Sequence, residues 1–292
     1  MSETRELLIE IGTEELPPLA LRRLAEAFRS GMDRLLAEHH LEHGASHAWA
    51  SPRRLAVQVE DVPLAQPDRE VVRRGPNMIA AFDEEGNPTR PAEGFARSCG
   101  VAVAELDQLE TPKGSFLAYR AVETGKPAGD VIPGLVEQAL KGLPVPKRMR
   151  WGDSDVEFVR PVHWVLLLHG TESLPAEILG VHADRYTRGH RFHCNEPIAV
   201  SEPAAYIDIL RDTGRVLADM DARRDTIHDA VQAAGRALGG TAHIEDELLE
   251  EVTALVEWPV VISGGFDRRF LDVPPEALVS SMQDHQKFFP VM

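Results

Sequence analysis

The sequence predicts an α+β fold: a strand-rich first part to about residue 200, followed by a more helical part to residue 292. Three observations predict it. Residues 55–62 alternate Leu55, Val57 and Val59 against Ala56, Gln58 and Glu60, the period-two pattern of a strand. Residues 19–38 place Leu21, Leu24, Ala25, Phe28, Met32, Leu35 and Leu36 at helical intervals. Strand and helix signals then mix without the strict alternation that builds a doubly wound sheet.

In chain order, 6–11 is a short apolar run closed by Gly12 and reads as a strand. Thr13, before Glu14 and Glu15, reads as a helix N-cap with acids in the first turn; Pro17 and Pro18 fit a helix start. The stretch 63–97, PLAQPDREVVRRGPNMIAAFDEEGNPTRPAEGFAR, is dense in Pro, Gly and charge. It reads as an extended or loosely folded insertion with one short helix near 92–99. Residues 114–124 read as a strand, and 130–141 as a helix closed by Gly142 and Pro144. Residues 162–169 and 176–181 read as a strand pair. Ser201 is placed to cap a helix to about 212. A second helix, 221–238, ends at Gly239 and Gly240; a third covers 245–257, and 259–263 reads as a strand. No internal repeat appears. The expected domains are therefore 1–200 and 201–292. The closing FFPVM reads as a strand where a domain usually has a polar tail, so the sequence is expected to be a piece of a longer protein.

Composition narrows the function. With 43% hydrophobic and 27% charged residues, the chain has the profile of a globular protein. Aromatics are only 6%, so aliphatic side chains must fill the core. A net charge of −16 argues against a generic polyanion binder and requires any RNA contact to come from a local cluster of Arg and Lys. Two cysteines, Cys99 and Cys194, cannot build a disulfide framework and fit a reducing compartment. The first residues, MSETRELLIEIG, lack the basic-then-apolar pattern of a signal peptide, and no stretch approaches the roughly 18 apolar residues of a membrane span. A cytoplasmic protein with no membrane partner is expected.

Catalytic motifs are scarce. There is no GxxxxGK[ST], no Gly-rich dinucleotide fingerprint and no GxSxG. His190, His193 and Cys194 lie together in RGHRFHCN, with His182 upstream, and His and Cys are the usual zinc ligands. A structural zinc needs four ligands, and the second pair is missing; a polar strand or turn accounts for the same residues. A metal hydrolase built on these four residues is the most distant alternative. Asp284-His285 and His228-Asp229 match the dipeptide of HD phosphohydrolases, which need further ligands on several helices. Glu245, Asp246, Glu247, Glu250 and Glu251 form an acidic run of the kind found on a solvated helix face.

The strongest signal is basic and aromatic. Lys147, Arg148 and Arg150 flank Met149 and precede Trp151; Arg160 precedes His163 and Trp164; Arg185, Tyr186, Arg188, His190, Arg191, Phe192 and His193 follow. Cations neutralise phosphates, and planar side chains offer stacking surfaces to unpaired bases. Equally, Trp151, Trp164 and Phe192 fit a core, with the arginines bridging to acids such as Asp153 and Asp155. Ser51-Pro52-Arg53-Arg54 and His285-Gln286-Lys287 are smaller clusters of the same kind.

At these residues the sequence resembles the N-terminal part of the glycyl-tRNA synthetase beta subunit of the bacterial tetrameric type. The stretches that carry the resemblance are LLIEIGTEELPP, SPRRLAV, RRGPNMIAAFDEEGNPTRPAEGFAR, PKRMRWGD, FVRPVHW, TRGHRFH, LLEEVTALVEWPV and FLDVPPEALVSSMQDHQKFFPV, in order and over nearly the whole chain. The resemblance implies a part of a glycine–tRNA ligase with no catalytic residue of its own. ATP and Mg2+ are expected at the α subunit, with no cofactor in this chain. The implied partners are the α subunit, in a tetramer of two α and two β subunits, and tRNA(Gly), without DNA. It also implies that HD-like and anticodon-binding domains follow residue 292, so Asp284-His285 precedes the HD-like domain. Carried onto the motif positions, the candidates for contact with tRNA or the α subunit are Arg53, Arg54, Lys147, Arg148, Arg150, Arg160, Arg188, His190, Arg191 and Lys287. A pure assembly module that never touches RNA is the alternative.

Overall fold

The computed structural model describes residues 3–145 and 147–292 and divides the chain into two compact units, Met1–Leu64 with Ala128–Met292, and Ala65–Pro127. Pro146, the first residue of PKRMRWGD, lies outside the described residues. The architecture is α+β, as expected.

The first unit starts with β1 (Thr4–Thr13), α1 (Leu21–Glu38), β2 (Ser46–Ser51) and β3 (Arg54–Pro63). Strand β1 lies between β3 and a later strand, so both its edges are paired, and core clusters on both faces bury it continuously from Leu7 to Thr13. The seven residues buried on α1 are the seven the helical spacing picks out. Thr13 does not cap this helix. It is the last residue of β1, its hydroxyl donates to the Glu14 carbonyl at 2.7 Å, and a 3-10 turn at Pro18–Ala20 leads into α1.

The second unit holds β4 (Arg69–Asn77), α2 (Met78–Ala81), α3 (Arg90–Cys99), β5 (Asp107–Thr111) and β6 (Gly114–Glu123). All but the first two residues of the expected insertion at 63–97 are instead part of this folded unit, an antiparallel sheet in the order β4-β6-β5 with the helices packed on it. Its core is small: Ala81, Ala92 and Leu117, edged by Met78, Phe82, Phe95, Val103 and Leu106. The unit's ends meet, with Ala65 bridged to Pro127 and Gln66 N donating to Lys126 O at 2.9 Å. Within the first unit, Ala128 N donates to Leu64 O at 2.8 Å.

The first unit then continues with α4 (Ala128–Lys141), β7 (Met149–Arg150), β8 (Glu157–Phe158), β9 (Val162–His169), β10 (Glu172–Ser173), β11 (Glu177–Ile178), β12 (Val181–Asp184), β13 (Tyr186–Arg188) and β14 (Pro197–Ala199). The helices α5 (Tyr206–Asp212), α6 (Met220–Ala237), α7 (Asp246–Leu255) and α8 (Pro275–Ser280) follow. The main sheet has the order β11-β12-β9-β1-β3-β2, with β10 also on β9. The expected pair at 162–169 and 176–181 takes a different form. Leu179 and Gly180 both have positive φ, which closes a two-residue hairpin between β11 and β12, and β12 runs parallel to β9.

The alternation of the strands sorts the two faces. Leu7, Ile9, Ile11, Leu55, Val57, Val59, Val165 and Leu167 pack against α1 and α4. Leu8, Ala56, Leu166 and Leu168 pack against Val200, Tyr206, Leu210 and Val216. The region beyond residue 200 therefore supplies one cover of the sheet, which is why no division falls there. Ser201 does not cap a helix; a 3-10 turn at Pro203–Ala205 precedes α5. Asp219 caps α6, accepting from Asp221 N and Ala222 N. The expected strand at 259–263 forms no ladder among the described residues, and Ile262 is 87% exposed. The FFPVM end forms no ladder among the described residues; it meets 241–243 through a bridge from Val291 to Ala242 and flanking backbone hydrogen bonds. No helix among the described residues is long and apolar enough to cross a membrane.

Candidate functional site

At one end of the main sheet the second face turns polar. Leu8, Glu10 and Gly12 alternate on β1, and Gly12 stands opposite both Arg54 on β3 and Trp164 on β9. Arg54 is 0% exposed. Its Nη1 donates to Glu10 Oε1 at 3.0 Å and to Thr187 Oγ1 at 3.2 Å, its Nε to Ser51 Oγ at 2.9 Å, and its Nη2 to the Arg188 carbonyl at 2.7 Å. Glu10 Oε1 also accepts from Trp164 Nε1 at 3.0 Å and Thr187 Oγ1 at 2.9 Å. Ser51 Oγ donates to Glu257 at 2.6 Å. Burial pushes the Glu10 carboxyl up, against the pull of Arg54 and the two donors. Burial would also lower Arg54, but Glu10 and Glu257 outweigh it and hold the guanidinium as a cation. This is a structural lock, because every group in it is turned away from solvent.

Trp164 lies flat over Gly12. A Cβ added to Gly12 would stand 1.9 Å from the indole Cε2, where only glycine fits. Gly12→Ala is expected to cost about 1–3 kcal/mol of stability through overpacking, read as a lower midpoint in urea unfolding. An unchanged midpoint would mean the indole is free to move aside.

Above this lock a second group reaches the surface. Glu14 accepts from Arg191 Nη2 at 2.7 Å and lies 3.0 Å from His163 Nε2; Arg191 also meets Glu15 at 2.9 Å. Partial burial would raise the Glu14 carboxyl, but Arg191 and His163 hold it below its ordinary value. Arg160 Nε donates to the Glu15 carbonyl at 2.9 Å. Arg53, in the turn between β2 and β3, lies half-buried with its guanidinium 5.6 Å from the Trp164 ring centre. Among the described residues its Nε and Nη1 have no hydrogen-bond partner. Burial lowers Arg53, against the opposing pull of Glu257 and Glu14, and the charges of Arg191 and Arg54 add to the lowering. His190 is likewise lowered by burial, so it is neutral near pH 7. Its Nδ1 accepts from Phe192 N at 3.2 Å, and its ring lies 4.4 Å from that of His193, tilted by 33°. These contacts make 190–193 a compact turn around His190 Nδ1. Among the described residues no group of three or more His, Cys, Asp or Glu side chains is arranged to hold a metal ion. Beside the turn, Arg188, Tyr186, His163 and Trp164 help line a cleft of about 340 Å³.

A family model described as the glycyl-tRNA synthetase beta subunit matches residues 7–292. The chain belongs to the glycyl-tRNA synthetase beta subunit family. Among its relatives, each named as a glycine–tRNA ligase beta subunit, that of Marinobacter nauticus is 51% identical over 290 residues, covering 99% of this chain and 42% of the relative. That of Edwardsiella ictaluri is 52% identical over 284 residues, covering 97% and 41%. That of Cronobacter sakazakii is 51% identical over 291 residues, covering 100% and 42%. The chain thus spans about 42% of the length of these curated relatives.

In this member of the glycyl-tRNA synthetase beta subunit family, the motif residues separate into three places. Arg53, Arg160, Arg188, His190 and Arg191 come together at the sheet end. Arg54 is corrected from surface candidate to core: the strand alternation that leaves Arg53 in the turn sends Arg54 into the sheet. Lys147, Arg148 and Arg150 lie in or beside the β7–β8 hairpin. There Lys147 is exposed, Arg148 donates to the Lys141 carbonyl at 2.8 Å, and Arg150 pairs with Asp155 and Glu157. Lys287 pairs with Glu251 at 2.9 Å. The aromatics are sorted too. Trp164 is core and Trp151 packs against the main core, whereas Phe192 is 85% exposed. Sequence reasoning misses Glu10, Glu14, Thr187, Tyr206 and Glu257. Glu10 carries a signal: an acid inside LLIEIG, on a strand buried on both sides, demands a buried partner.

Proposed function

We propose that this chain serves the attachment of glycine to tRNA(Gly) as part of a cytoplasmic glycine–tRNA ligase. In this reading it has no catalytic group of its own. It assembles with the α subunit, where ATP and Mg2+ bind, in a tetramer of two α and two β subunits. The surface made by Arg53, Arg188, His190 and Arg191 meets the tRNA backbone. The observation that carries this assignment is the gathering of Arg53, Arg188 and Arg191 at one end of the sheet in a chain of net charge −16. A phosphate oxygen is the acceptor that suits the outward-facing guanidinium groups of such a cluster. The acidic body around the cluster, at net −16, keeps the rest of the surface from binding RNA non-specifically.

The test is tRNA binding by the full-length subunit with its α partner, comparing the wild type with Arg53→Ala/Arg191→Ala across a salt series. The dissociation constant is expected to rise about tenfold, and the slope of log affinity against log salt to flatten by about one for each phosphate no longer neutralised. If affinity and slope are both unchanged while the thermal midpoint shows an intact fold, this surface does not bind tRNA.

A further inference from the structure

Phe192 is an 85% exposed aromatic ring held out by a fixed turn. The turn is pinned from three sides. His190 N donates to Gly214 O at 2.7 Å, Cys194 N donates to His190 O at 2.9 Å, and Phe192 N and His193 N both point at His190 Nδ1, at 3.2 and 3.4 Å. At its base, Gly189 packs so closely that an added Cβ would stand 2.6 Å from Gly214 O. The exposure of Phe192 is therefore built into the backbone. The ring cannot retreat into the core without breaking these bonds.

Its neighbours say what it meets. The His190 ring lies 6.0 Å away, tilted by 50°, with the His193 ring 4.4 Å from it at 33° and Arg191 between them in sequence. The core of a protein–protein interface is enriched in aromatics and arginine, but it is a continuous apolar patch of several such side chains. Here a single aromatic stands among two histidines and an arginine, with Arg53 adjoining Arg191 and His190. A ring beside cations is the arrangement that receives a base on the ring and its phosphate on the charge. Bases inside a duplex already have both faces covered, so the ring can accept only an unpaired one.

We propose that Phe192 is a stacking platform for an unpaired nucleotide of the bound RNA, with Arg191 and Arg53 placed for its phosphate. This rests on the tRNA reading above and adds to it that the contact falls on a single-stranded part of the RNA. The turn 190–193 acts as a preorganised receptor, so little ordering entropy is lost on binding.

The experiment uses the full-length subunit assembled with its α partner, as wild type, Phe192→Ala and Phe192→Trp. The probes are tRNA(Gly), a short single-stranded RNA and a blunt RNA duplex of the same length. Phe192→Ala is expected to weaken binding of tRNA(Gly) and the single strand about 5- to 150-fold, leaving the duplex and the thermal midpoint unchanged. Phe192→Trp is expected to restore affinity, with its fluorescence quenched by the single strand. Unchanged tRNA affinity in Phe192→Ala overturns the proposal, as does an equal loss on the duplex. Loss of α-subunit assembly with tRNA affinity retained would make the turn a protein contact and also overturn it. If Arg53→Ala/Arg191→Ala weakens tRNA binding while Phe192→Ala does not, this inference fails and the tRNA reading stands. If neither variant has an effect, both fall.

Discussion

Replacing Arg54 with methionine is expected to destabilise the fold by about 3–5 kcal/mol, read as a lower midpoint in urea unfolding. Methionine keeps much of the length but removes the charge and every donor. Glu10 is then left 0% exposed, with the Thr187 hydroxyl and the Trp164 indole but no cation. The Arg188 carbonyl and Ser51 hydroxyl lose their donor as well. The sign of the pH dependence follows from Glu10. Burial already raises its carboxyl in the folded protein, and Arg54 is the largest pull against that. Without Arg54 the folded value rises further above the unfolded one. The ionised carboxylate then penalises the fold, and the penalty is relieved as pH falls through the folded value. The gap between variant and wild type is therefore expected to narrow from neutral to mildly acid pH. A gap that stays constant or widens would show that the Glu10 charge is not the cause. Adding Glu10→Gln to Arg54→Met should recover part of the loss, since the two positions share one network.

The second large effect is expected at Arg223 on α6, which is also 0% exposed. Its guanidinium donates to three backbone carbonyls: Ala50 at the end of β2 (2.9 Å), Thr253 in α7 (2.9 Å), and Leu217 through a short bond from Nη1. Burial lowers it to about 10, against the opposing pull of Glu257 and Asp219. Two effects oppose each other in Arg223→Leu. Removing the cation relieves its own desolvation, whereas three buried carbonyls lose their donor at about 1–3 kcal/mol each. The carbonyls are more numerous and remain fixed in the backbone, so a net loss of about 2–4 kcal/mol is expected by chemical denaturation. Arg223→Lys should not rescue it, because a single ammonium lacks the planar fork that spans three acceptors. A leucine variant as stable as the wild type would mean that water or a local shift satisfies the carbonyls.

The sequence makes some of this visible and hides the rest, for physical reasons. Helix α1 is readable to the residue because its seven buried positions carry a strong 3.6-period signal. Ala65–Pro127 is hidden because its core is a few small side chains and most of β4 is exposed, so little apolar contrast marks its strands. Arg53 and Arg54 are neighbours of the same residue type, and only the turn between β2 and β3 sends one out and the other in. Phe192 and Trp164 look alike in composition. Their burial depends on a turn anchored to Gly214 and on a glycine beneath an indole, both set by residues distant in sequence. The strand expected at 259–263 has the β-branched residues but no ladder partner among the described residues; propensity alone does not make a sheet.

The meeting of chain ends at Leu64–Ala128 and Ala65–Pro127 bears on how the protein folds. Strands β9 and β12 complete the main sheet begun by β1, β2 and β3 only after the chain has left the first unit at Leu64 and returned at Ala128. An unstructured excursion of about 60 residues carries a length-dependent closure cost of roughly 3–4 kcal/mol. Once the excursion has folded, its own paired ends hold the two flanking strands of polypeptide side by side, and the closure is made in advance. The small domain then acts on the kinetics of the large one as a clasp, shortening the effective separation of residues that must meet. Mutations that weaken the Ala81, Ala92 and Leu117 core should therefore slow folding of the main sheet while leaving its unfolding rate nearly untouched.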